Sequence, residues 1–204
     1  MIGCEYRMHW EFERRGKEVW WRLDEKNNAL DYLEMAIQSL LEVERTPWAW
    51  KWVCISLHGA LYGFGVCALQ GTNFESVIEN NKLLSFNEVI RRCQDRKFIM
   101  GQGVLSKPLA LNDDQRKAIK FMKDELRNPL EHFIPRLWSI EIHGLAEMTA
   151  SYFEIIEFLA GESGNLRWKD DEIARIKALC NSGKQLALST KLHLESSSDA
   201  YFAL

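Results

Sequence analysis

The chain has 204 residues, 47% of them hydrophobic and 27% charged, with a formal net charge of −3. That length suits one domain whose core needs no disulfide or metal staple. The acidic balance excludes a protein that coats nucleic acid over its whole surface, so any such contact has to be local. The five cysteines, Cys4, Cys54, Cys67, Cys93 and Cys180, are scattered without C-x-x-C or Cys/His ligand spacing. They read as reduced thiols in a cytoplasm rather than a disulfide scaffold, and no metal or other cofactor is expected. The first ten residues lack a basic stretch followed by an apolar run, so no secretory leader is expected.

In chain order, Tyr6, Met8, Trp10 and Phe12 alternate with polar residues, Arg15-Gly16 offers a turn, and Val19-Trp20-Trp21-Arg22-Leu23 follows. This predicts an N-terminal β-hairpin within an extension over 1–23. Asp24 is an N-cap for a helix to about 44 that opens a single helical domain over 24–194, with Leu30, Leu33, Ile37, Leu40 and Leu41 on one stripe. Thr46-Pro47 ends that helix and starts the next. The stretch 52–69 is apolar all round and contains Gly59-x-x-x-Gly63. It is close to the length of a membrane span, but His58 in its middle and the amphipathic helices around it favour a central buried helix whose glycines admit close neighbours. A helix over 85–96 follows, with Phe86, Val89, Ile90 and Cys93 on one face, and then an irregular connection over 97–112. Asn112-Asp113-Asp114 caps the next helix at its positive end. A short strand is predicted at 138–144, a helix at 145–159, a break at 161–164 and a helix at 170–180. The stretch from Leu186 to Leu194 fits a two-residue period as well as it fits a helix. The Ser-rich tail over 195–204 is expected to be mobile. The fold class is therefore mainly α: a helical bundle with an N-terminal hairpin.

The helix that begins after Asn112 carries two faces. Ile119, Met122, Leu126 and Leu130 cluster on one side, and Arg116, Lys120, Lys123 and Arg127 form a basic stripe beside them. Such a stripe is able to follow an RNA backbone; equally, it is a solvated face supported by pairs such as Lys120 with Asp124. The helix closes on Arg127-Asn128-Pro129-Leu130-Glu131-His132, which sets a permanent cation, an amide and an imidazole within six residues. Arg127 and His132 point about 140° apart on an ideal helix. They meet only if the helix bends, as Pro129 favours, or if a second copy supplies one of them.

This R-N-x-x-x-H string resembles the R-x(4-6)-H motif of HEPN domains. The block it forms with His132-Phe133, Pro135 and Trp138-Ser139-Ile140-Glu141 is similar to one in uncharacterised bacterial HEPN-like proteins, over about 24–160 of this chain. Pro129 departs from that pattern, in which the middle positions continue the helix. The resemblance implies a HEPN-like bundle that forms a homodimer with the two motifs facing across the two-fold axis. It also implies a metal-independent endoribonuclease of toxin or phage-defence type, with RNA as substrate and an antitoxin as partner. In that reading Arg127 holds the phosphate, and His132 moves protons on the 2′-hydroxyl and the leaving 5′-oxygen, giving a 2′,3′-cyclic phosphate. Asn128 orients the imidazole or bonds a phosphate oxygen. Glu131 reads as a surface carboxylate. The rival from another class is a non-catalytic HEPN-like dimer that binds a protein or nucleotide partner.

Elsewhere, His58 reads as a hydrogen-bonded core histidine or as a member of the same cleft. Trp48, Trp50 and Trp52 read as core or interface residues, or as a base-stacking platform. His143 and His193 lack ligand-spaced partners. No P-loop, G-x-G-x-x-G, H-E-x-x-H or G-x-S-x-G occurs, which removes the common nucleotide, zinc-protease and hydrolase readings.

Overall fold

The computed structural model describes residues 12–21, 23–70, 74–99, 106–132, 135, 137, 139, 144–163 and 168–194, and the chain is mainly helical. A two-stranded hairpin pairs β1 (Phe12–Arg15) with β2 (Glu18–Trp21), Arg15 opposite Glu18. The two-residue turn is therefore Gly16-Lys17, one position later than expected. Gly16 takes φ +65°, a conformation that favours glycine at this point of a tight hairpin. The start of the expected first strand, and the tail over 195–204, lie outside the described residues.

Helix α1 (Glu25–Glu42) begins where Asp24 accepts a hydrogen bond from the Asn27 amide at 2.7 Å. Its buried stripe is Ala29, Leu33, Ala36, Ile37 and Leu40. Leu41, placed on that stripe from the sequence, is 49% exposed, because one step along a helix turns the side chain by about 100°. Helix α2 (Ala49–Gln70) is the centre of the molecule. It is long and apolar enough to cross a membrane by length and composition, yet 72% of its most apolar window is buried against the other helices.

Glycines set the approach. A Cβ at Gly59 would sit 2.6 Å from the Tyr32 ring, one at Gly63 would sit 2.7 Å from Ala29 Cβ, and one at Gly65 would sit 2.6 Å from Val89. Since 59 meets 32 and 63 meets 29, α1 runs antiparallel to α2. The other side of α2 is covered by α3 (Phe86–Gln94), whose N-cap is Ser85, and by α7 (Leu145–Gly161). Helix α8 (Asp170–Leu188) lies on α7 and α1. It is tied to α1 by Lys26 with Glu172 at 2.7 Å and by Arg175 with the buried Glu34.

Three stretches depart from expectation. Between α2 and α3 a 3-10 turn (Phe74–Val77) leads into a small hairpin of β3 (Ile78–Glu79) and β4 (Lys82–Leu83). Its turn residues Asn80 and Asn81 both have positive φ, as a two-residue hairpin turn of this hand requires. The helix expected to reach 96 stops at Gln94, and Arg96–Ile99 forms a separate short helix, α4. At the other end of the chain, α8 continues through Asn181-Ser182-Gly183. The Phe153 ring lies only 2.3 Å from where a Gly183 Cβ would be, so this glycine admits α7 rather than ending α8. Residues 191–194 add a further helical turn, which resolves the ambiguous stretch as helix. The strand expected at 138–144 falls almost wholly outside the described residues.

The two kinds of helical glycine make a paired prediction. Gly63→Ala should lower stability by about 2 kcal/mol, because the new methyl meets another helix's Cβ and backbone. The same change at Gly161, which faces the flexible Lys177 side chain, should stay within about 0.5 kcal/mol of the parent. Urea unfolding of both variants checks the contrast.

Candidate functional site

The helix after Asn112 opens as predicted. Helix α5 (Asp113–Phe121) starts with a capping box in which Asn112 accepts from the Gln115 amide at 2.8 Å and Gln115 accepts from the Asn112 amide at 3.2 Å. Then the backbone changes period. Met122–Arg127 is a π-helical turn, in which the Asn128 amide reaches back five residues to the Lys123 carbonyl, and α6 (Asn128–His132) completes the segment. Pro129 explains the change. It has no amide to give the Glu125 carbonyl, and its ring crowds that oxygen in an α-helix; widening the preceding turn relieves both problems. The expected departure from straight helix is thus a π turn upstream of Pro129, which is itself buried.

The motif divides across this turn. Arg127 and Glu131 are both about one-third exposed and form an ion pair at 2.6 Å. Arg127 also donates to Asn128 Oδ1 at 3.0 Å, so Asn128 holds the guanidinium rather than an imidazole. His132 lies one residue beyond Glu131 and is exposed. Within one chain Arg127 and His132 therefore do not share a face, as their spacing requires. Of the basic stripe, Arg116 is exposed and donates to Gln94 at 3.0 Å, and Lys120 is exposed. Lys123 is held by Asn87 at 3.1 Å and by Asp124 at 2.8 Å. The last contact takes the carboxylate that the sequence offered to Lys120.

Arg127 and Glu131 lie instead on a cavity of about 470 Å³ between α1, α2, β4, α3, the π turn and α6. Its polar lining is Glu25, Asn28, His58, Arg127 and Glu131, and its walls include the rings of Tyr32, Tyr62 and Phe86. His58 is 6% exposed, and its ring lies 4.1 Å from the Phe86 ring. Its Nδ1 and the Arg127 Nε are both buried and find no hydrogen-bond partner within the protein. Tyr62 fixes the wall by donating its hydroxyl to the Leu84 carbonyl. Burial, and then the nearby Arg127 and Lys123 cations, push the His58 pKa down to about 4. His58 is consequently a neutral imidazole near pH 7, able to donate or accept one hydrogen bond through Nδ1.

Sequence reasoning missed Glu131 as a site residue and gave His58 no firm place. The signal for Glu131 was its position four residues after Arg127 on a helix. For His58 it was a lone polar side chain on an otherwise apolar helix, although what it faces depends on tertiary packing.

The remaining candidates are accounted for. Trp50 is buried, whereas Trp48 and Trp52 are exposed. His193 pairs with Glu147 at 2.9 Å, and His143 lies outside the described residues. Cys54, Cys67, Cys93 and Cys180 are free and buried, with pKa values pushed up by burial to about 12, so none is a poised nucleophile. Among the described residues no cluster of three or more His, Cys, Asp or Glu is arranged to hold a metal ion. No protein family, characterised protein or solved structure matches the chain.

The His58 environment gives a pH dependence. The unfolded imidazole takes a proton below about pH 6.5, while the folded one stays neutral down to about pH 4. The unfolded state binds more protons in that window, so stability falls as pH drops through it, by about 3 kcal/mol in all. Urea midpoints of the parent and His58→Leu, followed downward from near-neutral pH, should reveal a difference that changes steadily across that window and is constant above it. Parallel curves would contradict the burial of a neutral His58.

Proposed function

We propose that the protein is a cytoplasmic, HEPN-like helical homodimer that binds RNA at the Arg127 end of its motif segment, as a nucleotide-binding member of that group. The observation that carries this reading is the cavity beside Arg127. A guanidinium fixed by Glu131 and Asn128 stands at a site with aromatic walls and a neutral buried imidazole, which has the polar and stacking groups that single-stranded nucleic acid uses. Exposed Trp48 and Trp52 add stacking surface elsewhere on the molecule. With a net charge of −3, binding is local and modest rather than a broad electrostatic wrap.

A second reading, the metal-independent endoribonuclease of toxin or phage-defence type, is favoured by the exposure of His132. An imidazole that turns away from its own Arg127 is available to the Arg127 of a second copy, which is the composite arrangement this chemistry needs. In that case neutral His132 takes the 2′-hydroxyl proton, and the partner's guanidinium stabilises charge on the phosphate.

Anisotropy with labelled single-stranded RNA, together with digestion of end-labelled RNA in EDTA, separates the readings. On the first, Arg127→Ala weakens binding about tenfold or more, His132→Ala leaves it intact, and the RNA stays whole. On the second, the RNA is cut to cyclic-phosphate ends and His132→Ala abolishes the cut. Absence of RNA binding, or binding indifferent to Arg127, overturns both. Light scattering should give a dimer, with roughly 2,000 Å² or more buried between copies; a clean monomer removes the composite site.

A further inference from the structure

Resting on the homodimer of that reading, we propose that the two copies meet along the open stripe of α2, so that Trp48 and Trp52 of each lie at the mouth of the other's cavity. Most of α2 is buried, but Trp52, Ile55, Gly59, Tyr62 and Gly63 keep access to solvent, and Trp48 leads into them from the turn before the helix. Spacings of four, three, four and three from Trp48 to Tyr62 place these residues on one line along α2. The two indoles carry most of the open surface: Trp48 is 76% exposed and Trp52 53%. The Lys51 ammonium lies 4.8 Å from the Trp52 ring and steadies that indole without covering it.

The stripe is self-complementary. Its bulky end is Trp48 and Trp52, and its open end is the cavity, which Ile55, Gly59, Tyr62 and Gly63 line and at whose rim Tyr32 and Leu83 are exposed. A two-fold axis between Ile55 and Ser56 sets Trp52 opposite Gly59 and Trp48 opposite Gly63 of an antiparallel copy, so each indole meets a position of α2 that has no side chain. A second copy matches this spacing by symmetry. Area points the same way. Tyr32, which lies against Gly59, and Met35, three residues on, flank the stripe from α1, while Leu83 and its cross-strand partner Ile78 extend it past the cavity. With the indoles these exposed side chains offer about 600 Å² of largely apolar surface per copy, at the top of what monomers leave uncovered. A pair buries roughly 1,200 Å² before any polar rim is counted, which reaches the size of a specific interface. Neither tryptophan lines its own chain's cavity, so each cavity gains a further aromatic wall from the partner.

Sedimentation equilibrium of the full chain at micromolar concentration tests the interface, with single-stranded RNA anisotropy and co-sedimentation with phosphatidylglycerol vesicles run in parallel. The parent should be a dimer. The double variant Trp48→Gln, Trp52→Gln should be a monomer with the parent's helical circular dichroism, and should bind RNA about tenfold more weakly. A short bis-maleimide should link Ile55→Cys between copies, beside the axis, well above the parent and above the exposed Lys117→Cys on α5. The cross-link decides the matter even if the double variant fails to fold. A monomeric parent overturns the interface and the homodimer together, and vesicle binding by that monomer assigns the stripe to a membrane surface instead. A dimer that survives both substitutions, or an Ile55→Cys that links no better than Lys117→Cys, overturns this interface and leaves the homodimer standing. RNA affinity retained by the monomeric double variant overturns the shared wall. A dimeric parent without RNA affinity keeps the interface and overturns the RNA reading.

Discussion

Everything in this molecule depends on covering α2. A helix of 22 residues with this composition has little surface to give to water, and the other helices bury most of it. Close packing is achieved where side chains are absent: α1 is seated over Gly59 and Gly63, and α3 over Gly65. The same burial takes His58 out of water. An imidazole on such a helix either finds a buried partner or stays neutral, and here burial together with two nearby cations keeps it neutral. A constraint that is purely hydrophobic in origin therefore fixes the chemical state of the histidine that lines the cavity.

The second determinant is a backbone conflict. A proline at position 129 is incompatible with a regular α-helix through 125, and the chain resolves this with a π turn rather than by ending the helix. The widened turn carries Arg127 at its last position, and the resumed helix carries Glu131 four residues on. The pair faces α2 together, while His132, next along, does not. The feature that departs from the HEPN-like pattern is thus the one that decides which motif residues face inward.

Much of the architecture was legible in the sequence because it is written in local chemistry. Asp24, Ser85 and Asn112 each satisfy a first-turn amide, as short polar residues before an apolar-periodic run should. The central helix was legible from composition and its glycine spacing. The small hairpin at 78–83 was also written locally, in Asn80-Asn81, but its strands are only two residues long and too short to show a period. Other features depend on distant partners. Gly183 reads as a helix stop until Phe153 is seen to occupy its place, and Leu41 reads as core until α2 is seen to meet the neighbouring stripe. The cavity belongs to the same group: its lining comes from α1, α2, β4, α3, the π turn and α6, which no single window of sequence brings together.

The central claim is that α2 and the π turn bring a buried, neutral His58 and Arg127 to one cavity while His132 stays in solvent. Histidine side-chain NMR, titrated in the parent and in Arg127→Ala, measures this directly. The account predicts a His58 midpoint depressed to about 4 that moves upward when the neighbouring cation is removed. A His58 that titrates near the ordinary histidine value, or one whose midpoint is indifferent to Arg127, would contradict it.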